Sequence, residues 1–306
     1  MRKCIKGLMT AAGITGGIIG GLWLGTKLTS ETKVQHIKPY FKRRSPYIFA
    51  HRGAMGLAPE HTKLAFDKAN EFSVDGFEID IRLTRDEEIV VIHDAYVDRT
   101  SDGAGRVSNL TLAELKQLDF GHHFRDVEGN TPFRGHPDAK VLTLRELIEN
   151  YPDKLINIEI KDRPETYEGS LMPTVLYRLI KELGVEDRVL VTSFHDAQIN
   201  RFRLYSGDEI ALGAGKDQVR KAYLSFKSGF RHLYQPEADT FQIPVDMKGY
   251  PLDSEKFIAF LQNLNVAVGY WVVNDMDKMD ELIQKGAHTI VTDFPDISHH
   301  LLEQRY

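Results

Sequence analysis

The 306-residue sequence has a single cysteine, Cys4. One cysteine cannot form an intrachain disulfide, so the thiol content does not indicate a redox compartment. The sequence also lacks a glycine-rich phosphate loop after its first strand-like segment, which disfavours a doubly wound nucleotide-binding sheet. A basic excess is absent too, because residues 46–306 hold 30 Lys and Arg against 43 Asp and Glu. Nucleic acid is therefore a poor candidate ligand, since its phosphates need compensating cations.

One long uncharged run lies near the N-terminus. Residues 7–26 contain no charge over twenty residues, and at about 1.5 Å per residue such a helix crosses the roughly 30 Å hydrocarbon layer of a membrane. Glycine recurs at every fourth position, at Gly13, Gly17, Gly21 and Gly25, a spacing that allows two transmembrane helices to pack closely as a homodimer. We predict a retained transmembrane anchor because no small-x-small cleavage site is evident; a cleaved signal and a secreted protein are the alternative.

The chain divides into an anchor (1–30), a basic linker (31–45) and a globular body (46–306). Residues 1–45 carry nine Lys and Arg against one acid. Cations flank the uncharged run on both sides, so the charge rule for orientation is divided. The short leading segment resembles a signal anchor, which favours a cell-membrane protein with an extracytoplasmic body. The basic stretch 27–44 either rests on anionic lipid or envelope polymer or is a solvated linker.

The body alternates strand and helix patterns. Strands are predicted at 47–51, 76–82, 155–160, 189–194, 209–213, 240–245, 267–273 and 289–293, with helices between most of them. Eight parallel strands in about 250 residues predict a TIM (β/α)8 barrel. A further strand is predicted at 89–92, and only the five residues 84–88 separate it from the strand signal that ends at Leu83. Five residues are too few for a helical crossover, so the two strands should form an antiparallel hairpin. Residues 95–140, rich in turn formers, are predicted to be an insertion over one rim.

Three acids lie on two of the predicted barrel strands. Glu78 and Asp80 share one face of the second strand because side chains alternate with a period of two. Glu159 lies on the third barrel strand, on the same face as Lys161, and is expected to arrive nearby. Converging carboxylates are costly to bury without a cation, and oxygen ligands suit one divalent ion, Ca²⁺ or Mg²⁺, better than zinc. Glu60 either supports this site or reaches the ion.

Several short motifs occur in order along the body. They are HRG (51–53), APEHT (58–62), FEIDIRLTRD (77–86), VVIHD (90–94), IEIK (158–161), TSF (192–194), WVVN (271–274) and VTDFPD (291–296). Together they resemble the glycerophosphodiester phosphodiesterase family over residues 46 to 300, with one departure at His61, where the family usually has Asn. The resemblance implies a hydrolase that converts glycerophosphodiesters to an alcohol and sn-glycerol 3-phosphate.

The resemblance also implies roles for individual residues. It makes His51 and His93 the acid/base pair, with the glycerol 2-hydroxyl attacking to give a cyclic phosphate that water then opens. Imidazole suits this chemistry because it exchanges protons near neutral pH. Arg52, by bidentate contact, and Lys161, as a point charge, would neutralise the phosphate unless they serve in structural salt bridges. Trp271 offers a flat wall to the glycerol or is a core residue.

Other activities stay open on the sequence alone. Within the same class, a phosphoinositide-type phospholipase C or a lysophospholipase D is the closest alternative. A glycerol polymer such as a teichoic acid is a further candidate substrate if the barrel faces outward. From a different class, the chain could be a non-catalytic membrane protein that binds polyol phosphates; the intact acids and histidines argue against it.

Overall fold

The computed structural model describes residues 23–31, 33–247 and 249–305. The strands are β1 (Tyr47–His51), β2 (Gly76–Leu83), β3 (Ile89–Val91), β4 (Leu155–Ile160), β5 (Val189–Thr192), β6 (Ala211–Leu212), β7 (Thr240–Ile243), β8 (Asp246–Met247), β9 (Tyr250–Pro251), β10 (Ala267–Tyr270) and β11 (Thr289–Thr292). The α-helices from residue 63 onward are α1 (Lys63–Asn70), α2 (Leu112–Gln117), α3 (Leu144–Asn150), α4 (Tyr167–Leu183), α5 (Asp196–Ser206), α6 (Lys216–Ser228), α7 (Glu255–Gln262), α8 (Met276–Gln284) and α9 (Pro295–Arg305).

Eight of these strands form a parallel barrel. Their spatial order is β6-β5-β4-β2-β1-β11-β10-β7, and a parallel bridge between Gly213 and Thr240 joins the two end strands. The predicted TIM barrel is confirmed. The predicted hairpin is confirmed as well, because β3 pairs antiparallel to β2 with Ile81 opposite Val91. The pair β8 and β9 forms a separate small ribbon.

Side chains alternate across the barrel wall, as expected for a period of two. In β1, Ile48 and Ala50 belong to the main core between sheet and helices, whereas Tyr47 and Phe49 belong to a second cluster inside the barrel. That inner cluster is apolar and lies towards the amino ends of the strands. Further along the same faces the residues become polar, beginning with His51 at the end of β1. The alternation therefore builds a closed apolar floor beneath a polar pocket.

Threonine side chains start several of the helices. Thr62 accepts a hydrogen bond from the backbone N–H of Ala65 at the start of α1, and Thr111 and Thr143 form full capping boxes at the starts of α2 and α3. A cap of this kind contributes about 1 kcal/mol to helix stability. These caps fix where each helix leaves the loop before it.

The insertion has a small core of its own. Its buried apolar side chains pack against Val90 of β3 and Ile92 just after it. The whole cluster is Val90, Ile92, Val97, Val107, Leu115, Phe120 and Val141. Burial of several such side chains, each contributing roughly 1.5–3 kcal/mol, holds the insertion on the rim. Residues 95–140 are therefore firmly seated beside the end of the barrel that carries the polar pocket.

The linker packs across the other end of the barrel. Lys38 lies 3.0 Å from Asp239 and donates to the carbonyl of Ile210 at 2.8 Å, while Tyr40 is buried in the apolar floor. These partners precede β6 and β7, so the contacts are made at the amino ends of the strands. Lys38 is thus neither a lipid contact nor a solvated cation; it is an internal ion pair.

The predicted membrane anchor falls on residues 7–26, and residues 7–22 lie outside the described part of the chain. Among the helices that are described, none combines the length and apolar character needed to cross a bilayer. The anchor, and the homodimer that its glycine spacing suggests, stay predictions.

Candidate active site

The three predicted acids converge inside the barrel. The strand register sets Glu78 beside His51 and Asp80 beside Glu159, and one oxygen from each acid lies within 4.8 Å of the others. Glu78 Oε2, Asp80 Oδ2 and Glu159 Oε1 are all buried. Lys161 Nζ lies 2.9 Å from Glu159 Oε1, and Arg52 Nε lies 3.2 Å from Asp80 Oδ2. Three buried carboxylates that converge in this way, with only two cations against them, fit a hard divalent cation.

The protonation of these acids indicates a shortage of positive charge. Burial raises the pKa of Glu78 above its ordinary value and raises the pKa of Glu159 to about 7. Burial acts the same way on Asp80, but the nearby His61, Lys161 and Arg52 lower its pKa to about 2. Lys161 Nζ lies 3.0 Å from Asp80 Oδ1 and 2.9 Å from Glu159 Oε1. The Lys161 ammonium and the Arg52 guanidinium carry one charge fewer than three ionised acids, and a divalent cation would supply the missing charge.

His51 is oriented by residues that follow the last two barrel strands. Its Nδ1 lies 2.6 Å from Asp293 Oδ1, and Asn274 Nδ2 donates to the other Asp293 oxygen at 2.7 Å. An ionised carboxylate only accepts, so Nδ1 carries the proton and Nε2 is left to the pocket. That Nε2 lies 3.7 Å from Glu78 Oε2. Asp293 and Asn274 stand at strand ends in the sequence, but that position did not reveal their pairing with His51.

His93 has a matching arrangement built from a loop. Its Nδ1 lies 2.6 Å from Oδ1 of Asp94, the next residue, and Arg99 Nε donates to the second Asp94 oxygen at 2.5 Å. Burial lowers the pKa of His93, which favours the neutral imidazole with Nε2 unprotonated. His93 and His51 line one common pocket. Sequence reasoning missed the roles of Asp94 and Arg99, although the adjacent His-Asp pair was a usable signal.

Arg52 is held against the acids by the turn after β1. It has a left-handed backbone with φ of 53°, and its N–H donates to the carbonyl of Glu78 at 2.8 Å. The next residue, Gly53, also has a positive φ, and a Cβ there would lie 2.7 Å from Ala65 Cβ, which only glycine avoids. Arg52 Nη1 donates to Glu60 Oε1 at 3.0 Å. Glu60 thus supports Arg52 and lies outside the acid cluster.

His61 supports the acids from behind. It is buried, and burial lowers its pKa to about 3, so it is neutral at pH 7. Its Nε2 accepts a hydrogen bond from the backbone N–H of Asp80 at 3.2 Å, and its φ is 58°. An asparagine also tolerates this backbone conformation, and its amide oxygen can accept the same kind of bond. The departure from the family pattern therefore preserves this interaction chemically.

One wall of the pocket is aromatic. Trp271 and Phe194 meet edge to face with ring centroids 5.6 Å apart, and both line the pocket with the histidines and acids. Lys161 Nζ lies 5.3 Å from the Phe194 centroid and Lys216 Nζ lies 4.6 Å from it; Lys216 was not foreseen. The pocket volume is about 210 Å³. All eight predicted site residues line it, namely His51, Arg52, Glu78, Asp80, His93, Glu159, Lys161 and Trp271.

Comparison with known proteins gives a consistent result. Residues 51–297 match the Glycerophosphoryl diester phosphodiesterase family. The glycerophosphodiester phosphodiesterase of Caldanaerobacter subterraneus subsp. tengcongensis is 33% identical over 258 residues, covering 81% of this chain and 94% of the relative. That of Bacillus altitudinis is 31% identical over 250 residues, covering 81% and 95%.

Solved structures agree with the fold. The glycerophosphodiester phosphodiesterase from Agrobacterium tumefaciens superposes with a TM-score of 0.67 at 25% identity, covering 84% of this chain and 100% of the other. A phosphodiesterase from Oleispira antarctica, solved in complex with the product sn-glycerol-3-phosphate, gives a TM-score of 0.66 at 24% identity, covering 84% and 97%.

Fold and pocket together define a barrel hydrolase of phosphate esters. The chain belongs to the glycerophosphoryl diester phosphodiesterase family. It is a glycerophosphodiester phosphodiesterase, the class of enzyme that hydrolyses glycerophosphodiesters. The resemblance inferred from the motifs is confirmed.

Proposed function

We propose that the protein hydrolyses glycerophosphodiesters to an alcohol and sn-glycerol 3-phosphate by acid/base catalysis with two histidines and a divalent cation. The observation that carries the proposal is the duplicated imidazole arrangement. His51 and His93 each have Nδ1 2.6 Å from an aspartate oxygen, and both line the pocket that contains the acid cluster. Two imidazoles that present Nε2 to one pocket can remove one proton and deliver another, provided that the ring that delivers is protonated at Nε2 as an imidazolium.

Glu78, Asp80 and Glu159 would hold the cation. The cluster offers carboxylate oxygens only, which favours Ca²⁺ or Mg²⁺ over zinc. When bound, the ion would withdraw charge from the phosphate oxygens and so make phosphorus easier to attack. Arg52 and Lys161 lie against the same acids and would hold the remaining phosphate charge.

The proton transfers are assigned to the histidines. One imidazole accepts the proton of the glycerol 2-hydroxyl as its oxygen attacks phosphorus, and the other protonates the departing alkoxide. Water then attacks the cyclic phosphate with the two roles reversed, and the ring opens to glycerol 3-phosphate. Asp293 and Asp94 stabilise whichever imidazolium forms, because each already accepts a hydrogen bond from Nδ1.

We infer that the substrate arrives from water and not from a bilayer. The linker packs across the amino ends of the strands, where Gln35 N–H donates to Leu264 O at 2.9 Å and Lys38 pairs with Asp239. The pocket lies at the carboxyl ends. If residues 7–26 anchor the chain in the cell membrane, with the body outside the cytoplasm, the pocket faces away from that membrane. This favours soluble or polymeric diesters over lysophospholipids.

The test is a coupled assay for glycerol 3-phosphate with the full chain in detergent. Glycerophosphocholine and glycerophosphoglycerol should be turned over, chelator should abolish the rate, and Ca²⁺ or Mg²⁺ should restore it. Absence of turnover on every glycerophosphodiester, with metal supplied, would favour a polyol-phosphate-binding protein. Faster release from lysophosphatidylcholine vesicles than from soluble diesters would contradict the water-facing pocket. Protease added to intact cells should cleave the body if it is extracytoplasmic.

A further inference from the structure

Arg99 belongs to the insertion and is not part of the pocket lining, yet it contacts two acids that serve the pocket. Its Nε donates to Asp94 Oδ2 at 2.5 Å. Its Nη1 and Nη2 donate to the two oxygens of Glu60, both at 2.8 Å. One guanidinium therefore joins the hairpin end, which carries Asp94, to the turn after β1, which carries Glu60.

Each of these acids holds a residue of the pocket. Asp94 Oδ1 lies 2.6 Å from His93 Nδ1, and Glu60 Oε1 accepts a hydrogen bond from Arg52 Nη1 at 3.0 Å. Arg99 is thus a single side chain away from both His93 and Arg52. The continuous chain of contacts is His93, Asp94, Arg99, Glu60 and Arg52, and it ends on Asp80, whose Oδ2 lies 3.2 Å from Arg52 Nε.

Because Glu60 is buried, the loss of its contact with Arg99 should be costly. The Glu60 side chain is only 10% exposed, whereas that of Arg99 is 49% exposed. Burial opposes ionisation of Glu60, but the hydrogen bonds from Arg99 help to lower its pKa to about 2. Without Arg99, Glu60 would keep one hydrogen bond among the described residues, from Arg52, and a buried carboxylate with too few partners is unstable.

The geometry also requires arginine specifically. The two terminal nitrogens bind Glu60 as a fork while Nε reaches Asp94, so three donors of one rigid plane serve two acids. An ammonium is a compact charge and cannot reproduce that planar fork. The seat of the insertion on its own small core keeps the backbone of this region in place.

We propose that Arg99 is a positioning residue: through Asp94 it orients His93, and through Glu60 it orients Arg52, so that the insertion sets the geometry of one half of the active site. The inference rests on the proposed phosphodiesterase reaction. It assigns to the insertion a role beyond covering the rim.

The first test is Arg99→Gln in the full chain, assayed with glycerophosphocholine at saturating metal. We expect kcat to fall by ~10- to 100-fold, the range found when residues that orient active-site groups are removed, and KM to rise. Arg99→Lys should lose less. Arg85→Gln is the matched control, because Arg85 is similarly exposed and donates to Asn109 O and Glu114 of the same insertion but does not line the pocket. The kcat of this variant should equal that of the unaltered enzyme.

A double-mutant cycle separates positioning from a general structural effect. In the proposal, Arg99 affects proton transfer through His93. Arg99→Gln should therefore reduce kcat much less when it is added to His93→Ala than when it is made in the unaltered enzyme. The increase in KM, which acts through Arg52, should be the same in both backgrounds. Equal fold losses in kcat in both backgrounds, or an Arg99→Gln enzyme with normal kcat, would overturn the proposal. If Arg99→Gln does not fold, as judged by circular dichroism, Arg99→Lys carries the same cycle.

One readout does not depend on turnover. In ¹⁵N-labelled protein, the Nδ1–H resonance of His93 should move upfield in Arg99→Gln as its bond to Asp94 loosens, while that of His51 stays in place. An unchanged His93 resonance would overturn the proposal even if no substrate were ever found. No turnover by the unaltered enzyme, by contrast, would count against the proposed function alone.

Discussion

The two halves of the pocket reach the same imidazole arrangement by different means. On one half, His51 and Asp293 come from neighbouring barrel strands and are 13% and 19% exposed. On the other half, His93 and Asp94 follow the hairpin and are 32% and 27% exposed, with Arg99 of the insertion behind them. On the first half the orienting carboxylate follows a barrel strand and is the less exposed of the two. On the second half it follows the hairpin, is more exposed and is reinforced by the charge of Arg99 from the insertion. Because the two histidines are oriented differently, mutation of their orienting acids should reduce kcat by different amounts.

The largest effect should come from the histidines themselves, and here the halves should be equal. His51→Ala and His93→Ala should each lower kcat by about 10²- to 10⁴-fold, because each removes one of two obligatory proton transfers. The coupled glycerol 3-phosphate assay measures the rate, and circular dichroism checks the fold. A folded variant with nearly full activity would exclude that histidine from proton transfer and leave the pocket with one active half.

The halves should separate when the orienting acids are changed. Asp293→Asn should lower kcat more than Asp94→Asn, since the more buried contact is less screened by water. We expect about 10³-fold for Asp293→Asn, within the range for a lost orienting carboxylate, and roughly tenfold less damage for Asp94→Asn. His51→Ala combined with Asp293→Asn should be no worse than His51→Ala. Equal losses for the two Asn variants would show that exposure does not distinguish the halves.

The acid cluster lies between the halves, so its pH dependence tests what they share. Metal binding requires ionised ligands, and burial raises the pKa of Glu159 to about 7. Protons therefore compete with the metal below pH 7, and Ca²⁺ or Mg²⁺ should bind about tenfold more weakly at pH 6 than at pH 8. The raised pKa also means that the metal-free fold loses stability as pH rises from about 4.5, the ordinary pKa of a glutamate, to about 7.

Thermal denaturation checks that sign. Added metal should raise Tm more at pH 8 than at pH 6, because at pH 8 it both finds ionised ligands and relieves their repulsion. Glu159→Gln is the matched variant, and it should flatten the pH dependence while weakening binding. A metal-induced Tm shift that is larger at pH 6 would contradict the cluster as the binding site.

Strand periodicity and strand ends allowed much of this site to be predicted. The period of two placed Glu78 and Asp80 on one face from local sequence alone, and the barrel topology then brought Glu159 beside them. The predicted strands 189–194 and 267–273 ran too far, since β5 ends at Thr192 and β10 at Tyr270. The chain leaves the sheet there to place Phe194 and Trp271 in the pocket wall.

The orienting groups were harder to predict because they depend on closure of the barrel. His51 and Asp293 are 242 positions apart and meet only because β1 pairs with β11. Arg99 lies in an irregular segment, where no periodicity indicates which way a side chain points. Lys38 looked like one of several linker cations, and its buried partner Asp239 is about two hundred residues away in the chain. Long-range pairing, unlike periodicity, leaves no local pattern.

The smallest effect on activity should come from a mutation at the apolar floor, which lies beneath both halves of the pocket. Lys38→Ala leaves the carboxylate of Asp239 buried without its ion pair, so the free energy of unfolding should fall by about 3 kcal/mol, measured by urea denaturation. The turnover number should stay unchanged, because this end of the barrel is remote from the pocket residues. Lys42→Ala, at an exposed position, is the matched control and should alter stability by less than about 0.5 kcal/mol. A large loss of kcat in Lys38→Ala, at a temperature where the variant is fully folded, would show that changes at the apolar floor reach the pocket. The positions of His51 and His93 would then depend on the packing of the linker as well as on their own orienting acids.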